Sequence, residues 1–260
     1  MSNIHSTALV HPEATLAADV VVGPYCVIDA GVSIERSSQL GPFCHLYPGT
    51  ELGEGVILDD GVVIGNEPQD QKYSGESTHV IVGAGTRIRE YATVNRASTP
   101  GGTTRIGRDC LIMAYTHVAH DCDIGNRVVL ANAIQLGGHV RIGEGAVVSG
   151  MTGVHQFASI GAGAFVGGGL RVDQDVPPFC RALGDPLRWG GLNLVGLRRK
   201  GSESETMRFL ETFYRMLYRD GQESALNWMG EQEDFEEIKT GLADFFLHHK
   251  RTVLRRGYLQ

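Results

Sequence analysis

The sequence predicts a parallel β-solenoid followed by a small helical domain, and three observations lead to this fold. Stepping by six residues from Ile4 to Val172 reaches 29 positions, of which 26 are Ile, Leu or Val. Glycine supplies 35 of the 260 residues, about twice its usual share of roughly 7%, without a Gly-X-Y period. From about Ser204, the apolar residues recur at three and four positions. The first spacing is typical of stacked coils with many turns, and the second of amphipathic helices.

The six-residue unit predicts short parallel strands joined by tight corners. Each large aliphatic residue is usually followed four positions later by a small or β-branched one. Because both must face a narrow interior, three units complete one triangular coil of about 18 residues. The small inward slot holds four of the five cysteines: Cys26, Cys44, Cys110 and Cys122. A resemblance to known hexapeptide-repeat proteins, and not the period itself, implies a left-handed parallel β-helix.

Two polar stretches interrupt the period. Asp70 and Glu76 stand in aliphatic positions within the first stretch, and Pro100 within the second. A solenoid tolerates loops that leave its coils stacked, and such loops often carry function. We therefore expect loop excursions at 66–81 and 96–105.

The C-terminal third is predicted to be helical. We divide the chain into a β-helix over 1–190 and an α-helical domain over 191–260, with helical spacing most evident around 207–217 and 235–246. This region carries two basic clusters: Arg198, Arg199 and Lys200, then Lys250, Arg251, Arg255 and Arg256. On an acidic chain such clusters suggest anionic ligands, although a solvated helix face is an equally common reason for them.

Composition excludes several classes of protein. The formal net charge of -7 argues against nucleic acid as a partner. No apolar run approaches the roughly 18 residues of a membrane helix, and the start lacks the layout of a signal peptide. An odd number of cysteines without CxxC spacing argues against a disulfide framework or a structural zinc site. We therefore expect a cytoplasmic protein with no membrane insertion.

The repeat also brings histidines together. The hexads 118–123, 136–141 and 154–159 begin 18 residues apart, so they stack on one face of consecutive coils, about 4.8 Å apart. His120, His139 and His155 then form a column, with His117 at the corner before it. Such a column suits a metal site or a general base oriented by Asp121, with a glycine N–H beside it for an oxyanion.

At these residues the chain resembles the acyl-carrier-protein-dependent UDP-N-acetylglucosamine O-acyltransferases that begin lipid A synthesis. The matching motifs are HVAHDCDIGN, LGGHVRIGEGAVVSGMTGVHQF, PQDQKYSGE, QDVPP and GLNLVGLRRKG. The resemblance spans essentially the whole chain. It implies a homotrimer with active sites between neighbouring β-helices, no metal and no cofactor. It also implies transfer of a (3R)-3-hydroxyacyl chain from acyl carrier protein to the 3-hydroxyl of UDP-N-acetylglucosamine.

Carried over residue by residue, the resemblance assigns roles to individual positions. His120 is the expected general base, Asp121 its support and Gly138 the oxyanion donor. Gly168, adjusted by Phe165, is the expected ruler of acyl length. The loop of an adjacent subunit is expected to supply Gln69, Asp70 and Lys72, and the second basic cluster to bind the acidic carrier. The remaining expected substrate-binding residues are His117, His139, His155, Gln156, Asn193, Arg199 and Lys200.

Three other functions stay open at this point. One is the later glucosamine N-acyltransferase of the same pathway, although that family carries an extra domain before its repeats, which here begin at Ile4. Another is a zinc enzyme resembling the hexapeptide-repeat carbonic anhydrases, with His117 as a ligand. The third is a binding module without catalysis, since a fold alone does not determine function.

Overall fold

The strands of the β-helix form three sheets that wrap one core. The computed structural model describes residues 3–199 and 201–255. Sheet A contains β1 Asn3–Ile4, β4 Val21–Val22, β7 Gln39–Leu40, β10 Ile57–Leu58, β13 Arg87–Ile88, β16 Leu111–Ile112, β19 Val129–Leu130, β22 Val147–Val148, β25 Phe165–Val166, β27 Cys180–Leu183 and β28 Arg188–Leu192. Sheet B contains β2 Leu9–Val10, β5 Val27–Ile28, β8 His45–Leu46, β11 Val63–Asn66, β14 Thr93–Asn95, β17 His117–Val118, β20 Gln135–Leu136, β23 Gly153–Val154 and β26 Arg171–Val172. Sheet C contains β3 Thr15–Leu16, β6 Ser33–Ile34, β9 Thr50–Leu52, β12 His79–Val82, β15 Thr103–Ile106, β18 Asp123–Ile124, β21 Arg141–Ile142 and β24 Ser159–Ile160.

Parallel pairing in register stacks the coils. Val118 pairs with Leu136, which pairs with Val154 in the next coil. From Val22 onward the aliphatic residues of the series are buried in one continuous core. The inward cysteines are buried as well, and the Cys122 thiol donates to the Gly137 carbonyl oxygen. The period that predicts the fold is therefore the period of its core.

The loops leave the coils where the period fails. The chain departs after Asn66 and returns at His79, and departs again after Asn95 and returns at Thr103. We call residues 67–78 loop 1 and residues 96–102 loop 2. Arg96, at the start of loop 2, donates to the Tyr73 hydroxyl of loop 1 at 3.0 Å. The two loops therefore support each other.

One corner of the triangle carries exposed aromatic side chains. Four of them, each 56–61% exposed, recur at the turn between sheets A and B: Tyr25, Phe43, Tyr91 and Tyr115. Their rings stack in pairs, with centroids 5.3 Å apart in one pair and 5.5 Å in the other. We call this column the aromatic ridge.

The helical region packs on the last coils. It consists of α1 Leu194–Arg199, α2 Ser204–Asp220, α3 Gln222–Gly230 and α4 Glu236–His248. The spacing that predicted helices around 207–217 and 235–246 falls within α2 and largely within α4, whereas α1, α3 and the antiparallel pair β27–β28 were not expected. Because β28 runs across the predicted boundary at residue 190, the division of the chain at that point stays a prediction. No described helix is long and apolar enough to cross a membrane.

Candidate active site

His120 lies at the corner between β17 and β18, where sheet B turns into sheet C. Its side chain is only 7% exposed. The Nδ1 atom lies 2.7 Å from Asp121 Oδ2, and because an ionised carboxylate can only accept, Nδ1 carries the hydrogen. The lone pair is therefore on Nε2, the atom that can take a proton from a substrate.

Asp121 is held by loop 2. Its Oδ2 accepts from the Ser98 hydroxyl at 2.7 Å and from the Ser98 N–H at 3.1 Å, while Oδ1 accepts from the Thr99 hydroxyl at 3.3 Å. Burial raises the pKa of the Asp121 carboxyl, but the hydrogen bonds from Ser98 and His120 outweigh it and hold the pKa below its ordinary value of 3.8. The carboxylate therefore stays ionised and fixes both the tautomer and the orientation of His120.

His139 and His117 lie on either side of this pair. The His139 ring meets the His120 ring edge-on at 5.3 Å, and His139 Nε2 is 3.7 Å from Asp121 Oδ2. His117 Nδ1 is 2.7 Å from the Thr93 hydroxyl. Burial lowers the pKa of both imidazoles below 6.5, and the neighbouring His120 contributes in the same direction. Both rings are therefore neutral near pH 7 and can exchange hydrogen bonds with uncharged groups.

Gly138 lies against the imidazole of His120. A Cβ at this position would be 2.5 Å from Cε1 and 2.6 Å from Nε2 of His120. Within the described residues, the Gly138 N–H has no acceptor. The absence of a side chain therefore makes room for the ring, and a backbone N–H without an acceptor among the described residues belongs to the residue that packs on it.

Loop 1 carries the expected residues Gln69, Asp70 and Lys72. Asp70 acts electrostatically on His139, where it opposes the lowering of the pKa. Asp70 Oδ1 accepts from the Lys72 N–H at 3.0 Å, and the side chains of Gln69 and Lys72 are exposed. The expectation was that loop 1 serves an adjacent subunit. No described contact joins Asp70 to His139, so the subunit that loop 1 serves stays a prediction.

The other expected binding residues differ in how they are held. The Nδ1–H of His155 donates to the Gln156 carbonyl oxygen at 3.1 Å; in the coil register, Gln156 and not His155 continues the column of His120 and Gly138. Asn193 is buried, its amide donating to the Gly163 carbonyl at 3.0 Å and its oxygen capping α1 at the Gly196 N–H. Arg199 is exposed on α1. Lys200 lies outside the described residues.

The expected ruler lies at a different corner from the base. Phe165 is in β25 of sheet A, and Gly168 is in the following turn towards sheet B. A Cβ at Gly168 would meet the Gly150 carbonyl oxygen at 3.1 Å. It is Gly169, with φ +68°, that adopts the left-handed conformation of the turn. Gly168 is therefore not required by the backbone conformation of the corner, although a side chain there would press on the Gly150 carbonyl.

Three side chains of the site have the chemistry of a metal site. One ligand atom each from His120, Asp121 and His139 lie within 4.8 Å of one another. The Asp121 oxygens, however, already accept from Ser98, Thr99 and His120. The hydrogen-bonding pattern fits a His–Asp pair that handles protons.

The sequence did not identify several residues of the site. Ser98 and Thr99 lie in the loop predicted at 96–105. Because this loop has no periodicity, the sequence does not indicate what its side chains contact. Phe157 stacks on His139, with centroids 4.7 Å apart. The Lys250 ammonium lies 5.6 Å from the centroid of Phe157. Phe157 lies one coil above His139 in register, a signal that could have identified it.

Comparisons with known proteins cover the whole chain. Residues 175–254 match the family described as UDP N-acetylglucosamine O-acyltransferase, domain 2, and residues 31–66 and 103–133 match bacterial transferase hexapeptide repeats. A protein of Thiobacillus denitrificans, named acyl-(acyl-carrier-protein)–UDP-N-acetylglucosamine O-acyltransferase, is 40% identical over 98% of this chain and 100% of its own. One of the same name from Verminephrobacter eiseniae is 45% identical over 85% of each chain.

Solved structures agree with these matches. The UDP-N-acetylglucosamine acyltransferase of Francisella novicida is 32% identical and superposes with a TM-score of 0.93 over 98% of this chain and 95% of its own. The Arabidopsis enzyme is 33% identical, with a TM-score of 0.82 over 97% of this chain and 100% of its own. Together with the parallel sheets and the four helices, these likenesses confirm the predicted left-handed parallel β-helix with a helical C-terminal region.

Proposed function

The chain belongs to the family of acyl-(acyl-carrier-protein)–UDP-N-acetylglucosamine O-acyltransferases, the acyltransferases of the first step of lipid A synthesis, and from this premise we propose that His120 is its general base. The reaction transfers a (3R)-3-hydroxyacyl chain from the thioester of acyl carrier protein to the 3-oxygen of UDP-N-acetylglucosamine, in the cytoplasm. One observation carries the assignment of the base. In the neutral imidazole, the 2.7 Å contact of His120 Nδ1 with Asp121 places the hydrogen on Nδ1 and the lone pair on Nε2.

The proton moves twice through His120. Nε2 takes the proton of the sugar 3-hydroxyl as the oxygen attacks the thioester carbonyl, and the resulting imidazolium is stabilised by Asp121. The tetrahedral intermediate then breaks its C–S bond, and the proton on Nε2 goes to the leaving thiolate. No acyl-enzyme and no metal ion take part. A positioned base of this kind contributes about 10²- to 10⁴-fold to the rate.

The Gly138 N–H is the proposed donor to the oxyanion. Gly138 packs against the imidazole of His120. The N–H of Gly138 would therefore donate to the oxyanion on the thioester carbon, while His120 handles the proton of the attacking hydroxyl. A preorganised donor of this kind contributes a few kcal/mol in a site that excludes water. The lack of a side chain at Gly138 lets the thioester approach both groups.

The neutral imidazoles and loop 1 would hold the two substrates. His139 and His117 can donate and accept without adding charge near the base. Asp70 would accept a hydrogen bond from the 3-hydroxyl of the acyl chain, and Lys72 would orient polar groups. His155, Gln156, Asn193, Arg199 and Lys200 remain proposed contacts of the nucleotide. To contact the nucleotide, the side-chain amide of Asn193 must either keep its hydrogen bond to the Gly163 carbonyl or replace that bond by one to the nucleotide.

We propose a homotrimer with a groove between neighbouring chains. The aromatic ridge supports it, because aligned aromatic side chains that are more than half exposed are typical of an interface. Gly168 and His120 lie at the two corners that border sheet B. A single groove that contains both residues therefore needs a neighbouring chain to bring one corner close to the other. Sedimentation should give a trimer. Mixing inactive His120→Ala and Lys72→Ala chains should restore activity if loop 1 serves a neighbour, and should not if it serves its own histidines.

The decisive assay offers UDP-N-acetylglucosamine with a panel of acyl carrier protein thioesters and identifies the products by mass spectrometry. We expect an ester at the 3-oxygen, a preference for long 3-hydroxyacyl donors and no transfer by His120→Ala. Lys239→Gln, which removes a charge bonded to Gln232 and Glu236 away from the site, is the control. Dialysis against a chelator should leave the rate unchanged. Loss of activity on chelation would favour the zinc enzyme instead.

A further inference from the structure

The segment that follows α4 returns to the β-helix and is fixed on a buried carboxylate. Asp175 is fully buried, and its carboxylate accepts from the N–H groups of Ser159 at 2.6 Å, Lys250 at 3.0 Å and Arg251 at 2.7 Å. Two backbone bonds, with Thr252 and Leu254, extend the attachment. The segment 250–254 is therefore held in one place beside the last coils, although it lies some 75 residues away in sequence.

This attachment separates two cations that are adjacent in sequence. The Arg251 guanidinium donates to the carbonyl oxygens of Asp173 at 2.7 Å and Gln156 at 3.3 Å, so it is bound to backbone. The Lys250 ammonium instead lies over the ring of Phe157, at 5.6 Å from its centroid. Since Phe157 stacks on His139, Lys250 stands at the edge of the histidine cluster.

Lys250 is a charge available to a ligand. Its side chain is exposed, and in residues 3–199 and 201–255 its ammonium contacts the ring of Phe157 and pairs with no carboxylate. The ring of Phe157 lies between the Lys250 ammonium and His139, at 5.6 Å from the ammonium and 4.7 Å from the centroid of the imidazole. A lysine ammonium on a flexible stem is well suited to a phosphate, which it binds as a compact point charge.

We propose that Lys250, positioned by Asp175, binds a phosphate group of a substrate in this site. The inference rests on the proposed function, in which both substrates carry phosphate: the acceptor has a diphosphate, and the donor has the phosphodiester of its pantetheine arm. Asp175 acts through the backbone of the segment and is a positioning residue. The cation belongs to the active site and not to a general docking surface for the carrier.

The test compares Lys250→Gln with Lys250→Arg, using Lys239→Gln as the matched loss of a lysine charge. One arm measures the Kd of UDP-N-acetylglucosamine by calorimetry without donor. The other measures kcat/KM for a 3-hydroxyacyl-phosphopantetheine and for the same acyl-pantetheine without phosphate. Removal of a charge-assisted contact should weaken one of these about tenfold. Lys250→Arg should retain most of the binding.

The pattern of losses identifies the phosphate. A higher Kd for the sugar nucleotide assigns Lys250 to the diphosphate of the acceptor. Loss of the preference for the phosphorylated donor assigns it to the pantetheine arm. Constants within twofold of wild type in both arms, or equal losses with both donors and no change in Kd, would overturn the proposal. If the wild-type protein itself transfers no acyl chain, the proposed function fails, and the calorimetric arm still tests Lys250.

Discussion

A single methyl group at Gly138 should disable the base. In Gly138→Ala the added Cβ would lie 2.5 Å from His120 Cε1, whereas ordinary contacts of a Cβ begin at 3.4 Å. The ring must therefore move by about 0.9 Å, the difference between these distances. It is buried and tied to Asp121, so it cannot move without loss of that bond. A misplacement of about 1 Å costs roughly 10²-fold in rate, and complete loss of a general base costs up to about 10⁴-fold.

The same clash should lower the free energy of unfolding of Gly138→Ala. Forcing an extra methyl into a packed site costs about 1 to 3 kcal/mol. That cost should vanish when His120→Ala removes the ring, so the double variant should unfold at the temperature of His120→Ala alone while remaining inactive. Gly241→Ala, on α4, meets nothing within 4 Å and is the control.

The measurements are kcat and KM with an acyl carrier protein thioester, together with thermal unfolding of the four proteins of the cycle. The reasoning fails if Gly138→Ala keeps a kcat within threefold of wild type. It also fails if the variant is equally destabilised with and without the imidazole of His120, because the clash would then not be with that ring.

Three further predictions concern Asp121, His139 and Gly168. Asp121→Asn should lower kcat about 10- to 100-fold, which corresponds to the energy of a hydrogen bond to a charged group. Ser98→Ala should lower kcat less. A change confined to KM would contradict the role of Asp121 as the support of the base. Burial holds the pKa of His139 in the folded protein below 6.5. The neutral imidazole therefore contributes its full stability above pH 6.5, and this contribution is lost as the pH falls through the pKa of the folded state. Between pH 7.5 and 5, the unfolding temperature should fall less in His139→Gln than in wild type. Gly168→Met should shift selectivity towards shorter acyl donors with the trimer intact, since each methylene excluded from an apolar groove forfeits about 0.8 kcal/mol; an unchanged order of donors would mean that the ruler lies elsewhere.

The coil register explains why much of the site was predictable. His120, Asp121 and His139 occupy fixed phases of an 18-residue coil, so their neighbours follow from counting along the chain. The same counting applies to Gly138, which lies 18 residues after His120. In a solenoid with a repeat of fixed length, the number of residues between two positions determines the distance between them.

The remaining residues depend on contacts that no period encodes. Ser98 reaches Asp121 only because loop 2 folds back over the corner. Lys250 reaches the site through Asp175, and its position depends on three backbone hydrogen bonds from segments distant in sequence. The short helices α1 and α3 carry few apolar residues at regular spacing. The position of α3 follows from packing of Ala225 and Met229 against the other helices rather than from propensity.

The attachment to Asp175 has a consequence for synthesis on the ribosome. Residue 250 is translated 75 residues after the carboxylate that its N–H completes, an interval of about 4 to 15 s at 5 to 20 residues per second. Until then only Ser159 can donate to Asp175, and a carboxylate lacking its partners resists burial. We expect the nascent β-helix to keep its last coil open during this time, so that the coil closes only after residues 250 and 251 have been synthesised.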